Sequence, residues 1–122
     1  MVRSILILAL ALAPAGPALA QPGTGDTCTG RIAITQVDHR LMAKTGPNAG
    51  AIGYSVTLTN LTPQEQSYTL RLAGLEGLAN RPSGSEVRRI AAGATRTDPL
   101  GIAHGFAVSL PELRAAIRLA CR

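Results

Sequence analysis

The 122-residue chain reads as an all-β protein, an antiparallel sandwich of six or seven short strands. Three observations predict this. Ile52, Tyr54, Val56 and Leu58 alternate without exception with Gly53, Ser55, Thr57 and Thr59, which gives a strand one buried and one wet face. Tyr68, Leu70 and Leu72 repeat the pattern around Thr69 and Arg71. Turn-forming residues then punctuate the rest about every 8–12 residues, the spacing of a sandwich.

Residues 1–20 have the layout of a secretory signal peptide. Arg3 supplies the positive start, residues 5–13 an apolar run, and Ala18-Leu19-Ala20 a small-x-small cleavage site. That run is roughly half the ~20 residues a bilayer span needs, so cleavage is expected rather than retention as an anchor. The mature chain would be periplasmic or secreted. Roughly a hundred residues then remain, enough for one domain around one core. In an oxidising compartment Cys28 and Cys121 are expected to form a structural disulfide. Their wide separation lacks the Cys-x-x-Cys proximity of a redox pair.

Residues 21–30 form a lead rich in Gly, Thr and Pro, tied down at Cys28, and the sandwich domain occupies 31–122. Residues 31–38 are the first strand, with Ile32 and Ile34 on one face, and 44–50 (KTGPNAG) a turn-rich loop. Strands at 51–60 and 67–72, joined by a short polar connection, predict an antiparallel pair. Residues 75–84 are irregular, 86–91 a short strand with Val87 and Ile90, and 92–94 a turn. A broken strand over 95–102 places Pro99 at an edge. Residues 105–110 put Phe106, Val108 and Leu110 on one face of a further strand.

Two patterns compete at the C-terminus. Leu113, Ala115, Ile117, Leu119 and Cys121 alternate like a strand. Ser109-x-x-Glu112 resembles a helix capping box, and good helix formers follow. The strand is favoured over 111–121, because it leaves no apolar residue on the wrong face.

Residues 53–78 (GYSVTLTNLTPQEQSYTLRLAGLEGL) and 86–97 (EVRRIAAGATRT) resemble bacterial periplasmic immunoglobulin-like domains. The pattern is similar to the C-terminal domain of FixG-type cytochrome oxidase accessory proteins. It rests on Tyr54, Val56, Leu58 and Asn60, then Tyr68, Leu70 and Leu72, then Gly74, Leu75 and Gly77, then Ala92 and Gly93. The resemblance implies an immunoglobulin-like fold, an envelope location and an accessory role beside membrane complexes. The membrane helices and iron–sulfur cysteine motifs of FixG-type proteins have no counterpart here, so no electron-transfer role is carried over.

The chain has 12 basic and 7 acidic residues, with Lys44 the single lysine. That balance gives a mild preference for acidic partners or an anionic membrane surface. Nucleic acid is not expected, since Tyr54, Tyr68 and Phe106 are the only aromatics for base stacking. Asp38-His39 lacks a positioned nucleophile and a Gly-x-Ser-x-Gly elbow, so no catalytic residues are assigned. No cofactor is expected. Arg88, Arg89, Arg114, Arg118 and Arg122 are candidates for binding a partner. The expectation is an exported, non-enzymatic immunoglobulin-like module that binds a protein of the cell envelope. A small periplasmic copper carrier using His39, Met42 and His104 is the alternative, and an enzyme inhibitor presenting 44–50 the third. Asn60-Leu61-Thr62 matches a glycosylation sequon, but no sugar is expected at this turn.

Overall fold

A computed structural model describes residues 28–122, so the segment read as a signal peptide and most of the expected lead lie outside the described residues. Among the described residues six strands form two three-stranded antiparallel sheets. They are β1 (Ile32–Leu41), β2 (Ile52–Asn60), β3 (Gln66–Leu72), β4 (Arg88–Ile90), β5 (Thr95–Ala103) and β6 (Ile117–Cys121). One sheet has the order β1-β2-β5 and the other β4-β3-β6. Between them lie Val56, Leu58, Leu100 and Ile32 from the first sheet, and Tyr68, Leu70, Leu119 and Ile117 from the second. The alternation matches observed burial through β3 and from Tyr54 onward in β2, whereas Ile52 at the start of β2 is only half-buried.

β2 and β3 do not pair with each other, contrary to the sequence expectation. β2 already has a neighbour on each edge, β1 and β5. The polar connection therefore carries the chain across to the other sheet. Asn60 fixes this crossover and is 1% exposed. Its Nδ2 donates to the carbonyls of Gln64 (2.7 Å), Ile90 (3.0 Å) and Ala91 (3.2 Å). Its Oδ1 accepts from Thr62 N (2.9 Å) and Thr62 Oγ1 (2.8 Å). Buried polar atoms without such partners would destabilise the turn.

The C-terminus resolves into a helix followed by a strand, which corrects the all-strand reading of 111–121. Helix α1 (Leu110–Ala116) starts at Ser109, whose hydroxyl accepts from Glu112 N at 3.2 Å, with Pro111 in its first turn. It ends at Ile117, where pairing with Leu72 of β3 begins. Leu113 is buried in the helix, on the face that alternation also assigned to the core, which is why alternation alone misassigned the segment. The strand expected over 105–110 is absent among the described residues. Val108 is buried, and its N–H donates to Tyr54 Oη at 2.7 Å. Phe106 instead turns outward, and its ring covers Gly77 closely enough to exclude a Cβ there.

β5 is continuous from Thr95 to Ala103, with a register shift opposite Tyr54/Ser55 that accommodates Pro99 on an edge strand. Next to it, Gly101 has φ 139° and lies against Ala79 O, where a Cβ would be 3.0 Å away. Cys28 and Cys121 are bonded, with Cα atoms 5.2 Å apart, joining the start of the described chain to the end of β6. Cys28 and Thr29 both have positive φ, 62° and 55°, so the last residues assigned to the lead form a defined turn into β1.

Candidate functional site

An ionic cluster around the buried Asp98 joins the sheets on their β4/β5 side. Asp98 of β5 is 1% exposed and faces inward, opposite in phase to Thr97 and Pro99. Its Oδ2 accepts from Tyr68 Oη of β3 at 2.6 Å. Its Oδ1 meets Arg96 Nε at 2.7 Å and Arg88 Nη1 of β4 at 3.3 Å. Arg96 also donates to Arg89 O at 3.1 Å, and Arg88 reaches Glu86 Oε1 at 3.1 Å. Burial, and then the bond to the Asp98 carboxylate, push the Tyr68 phenol well above its ordinary range. The bond to Asp98 likewise raises Arg96. This cluster locks the fold, and its charges are spent internally. Sequence reasoning missed it because Asp98 stands on a strand whose pattern Pro99 interrupts.

On the outer face of the β1-β2-β5 sheet lies an open trough of about 540 Å³. Its cause is the tapering of β2's outward row, from Thr59 and Thr57 through Ser55 to Gly53. Asp38 and Arg40 stand on the β1 side, opposite Ser55 and Gly53, and Thr97, Pro99 and Ile102 on the β5 side. Met42 closes one end, its Sδ 2.6 Å from where a Gly53 Cβ would be. Thr57 and Thr97 hydroxyls bond across the strands at 3.1 Å, as do Thr59 and Thr95.

The copper candidates do not face one another. The His39 ring stacks on Tyr54, with centroids 6.0 Å apart, on the inner side of the sheet. Met42 lies over Gly53, on the outer side. His104 follows β5, exposed. Among the described residues no three His, Cys, Asp or Glu side chains are grouped to hold a metal ion.

The five candidate arginines divide. The Arg88 side chain is 10% exposed and belongs to the ionic cluster. Arg114 donates to Ile34 O at 3.2 Å, clamping α1 to β1. Arg89, Arg118 and Arg122 share the outer face of the β4-β3-β6 sheet: Arg89 pairs with Ser67, Arg122 N bonds Ser67 O at 2.9 Å, and Arg118 pairs with Arg71. Arg71 is thus a fourth cation there, legible in the sequence as an outward residue but not singled out. The outward residues of these strands are Ser67, Thr69, Arg71, Arg89, Arg118 and Ala120, with no acidic side chain among them. Arg71 and Arg118 stand directly opposite each other, and like charges in that position repel. Arg118 is partly held by donating to Ala115 O (2.8 Å) and Ile117 O (3.1 Å).

Comparison with protein-family models, with curated proteins and with solved structures finds no match to this chain.

Proposed function

We propose that this chain is an exported, non-enzymatic immunoglobulin-like module that binds an acidic protein partner in the cell envelope. The basic outer face of the β4-β3-β6 sheet is its docking surface. The observation that supports this most is the Arg71–Arg118 pair, two cations held opposite each other on an exposed sheet. Isolated, that pair repels; a carboxylate between the two guanidiniums turns it into attraction. Arg89 and Arg122 flank Ser67 from either side of β3 at the other end, about 13 Å along the strand. An extended acidic surface fits this spacing better than a single small anion.

The export reading rests on the signal-like residues 1–20 together with the disulfide, a bond that persists in oxidising compartments. No helix among the described residues is long and apolar enough to cross a membrane. An accessory role beside a membrane complex follows from the FixG-type resemblance alone. The copper-carrier alternative has less geometric support, because His39 and Met42 face opposite sides of their sheet.

A photo-crosslinking side chain at Thr69, in the middle of the basic face, tests the reading in living cells. One discrete envelope protein should be captured, and capture should fall in the R71E/R118E background. No adduct at Thr69, or equal capture from Ser55 on the opposite sheet, would refute it.

A further inference from the structure

The β1-β2-β5 sheet has two edges, and they are treated differently. Along β5, Ala79 bridges to Ile102 by two backbone bonds of 2.8 Å, and Arg96 ties the strand to Arg89 O. Along β1, Arg114 of α1 meets the edge at Ile34 O. A register shift between Ile34 and Gln36 follows, and the remainder, Gln36 to Leu41, lies on a strand paired on one side only among the described residues. Met42 N donates to Ala51 O of the chain leading into β2. By alternation the backbone groups of Asp38 and Arg40 also point to β2, and those of Val37, His39 and Leu41 to the open edge. The His39 N–H confirms the phase, since it donates to Asp38 Oδ1 at 2.8 Å rather than to β2.

This open stretch is self-complementary. In an antiparallel pairing centred on His39, Asp38 stands opposite the partner's Arg40, and Arg40 opposite the partner's Asp38. Val37 meets the partner's Leu41, a residue 50% exposed in the single chain. We propose that the β1 edge from Gln36 to Leu41 is a homodimer interface, which joins two three-stranded sheets into one across a two-fold axis at His39. The arrangement is isologous, so one strand supplies both halves of each charge pair. About six backbone hydrogen bonds form across the axis. The Asp38 carboxylate, which caps the His39 N–H in the single chain, moves to the partner's Arg40 as that N–H passes to the partner's His39 carbonyl. A strand from another protein would have to match this charge order by chance; a second copy matches it by symmetry.

The interface is distinct from the basic face, so purified protein alone tests it and leaves the proposed envelope partner out of the result. Sedimentation equilibrium of the wild-type chain should show a monomer–dimer equilibrium. D38R and R40D each set like charges opposite each other and should weaken the dimer by about tenfold or more. Mixing the two single variants should restore it as a heterodimer, and D38R/R40D should restore it as a homodimer. Both positions are exposed, so circular dichroism should be unchanged in every variant. A wild-type monomer at about 1 mM would overturn the proposal, as would a dimer indifferent to the single substitutions or unrestored by mixing.

Discussion

The Tyr68 hydroxyl and the Asp98 carboxylate meet at 2.6 Å across the two sheets. One belongs to β3 and the other to β5, so the bond exists only when the sandwich is closed. Removing either partner leaves a buried polar group unsatisfied. Tyr68→Phe should cost about 1–3 kcal/mol, the penalty of one lost bond to a buried carboxylate. Asp98→Ala should cost about 3–5 kcal/mol, because Arg88 then loses its buried counter-charge and keeps only the exposed Glu86. Urea denaturation of both variants checks the order.

Burial of the Tyr68 phenol, and then its bond to Asp98, give the fold an alkaline limit. The Tyr68 phenol titrates higher folded than unfolded, so its contribution is full below the ordinary tyrosine value near 10. As pH rises above that value the unfolded chain loses the proton first, and stability falls until the folded phenol also ionises. Urea midpoints measured from neutral pH upward should fall beyond about pH 10. That fall should be shallower in Tyr68→Phe.

Asn60 should tolerate no isosteric carboxylate. Asn60→Asp replaces a donor to three carbonyls with an acceptor, and about 3 kcal/mol or more should be lost. Thermal melts will show it. The burial of Asn60 also means that the folded chain cannot carry a sugar at this sequon.

Arg81 organises the long β3–β4 connection by donating to the carbonyls of Leu72, Gly74 and Leu75. Lysine cannot reproduce that fork. Both Arg81→Ala and Arg81→Lys should therefore speed amide exchange around residues 73–81, with a stability loss of about 1–2 kcal/mol.

Much of this architecture was legible in the sequence. The alternation of β2 and β3 reported burial directly, because a two-layer core needs one apolar face per strand and nothing else. Two failures have physical causes. Pairing of β2 with β3 was inferred from a short connection, but proximity along the chain does not say which edges are already occupied. At the C-terminus, Leu113 and Ile117 are spaced so that a helical turn and a strand both bury them. Only the Ser109 cap, visible in the sequence and outweighed, distinguished the two. Of the candidate site, Arg89, Arg118 and Arg122 were found as cations, whereas the use of Arg88 and Arg114 within the fold depends on tertiary partners far along the chain.

All of this presupposes an exported sandwich whose ends are crosslinked. Non-reducing intact-mass and N-terminal analysis of the protein from its native envelope fraction tests that most directly. A chain beginning at Gln21 with Cys28 and Cys121 joined is the expected result. A cytosolic product retaining Met1, with both thiols open to alkylation, would contradict it.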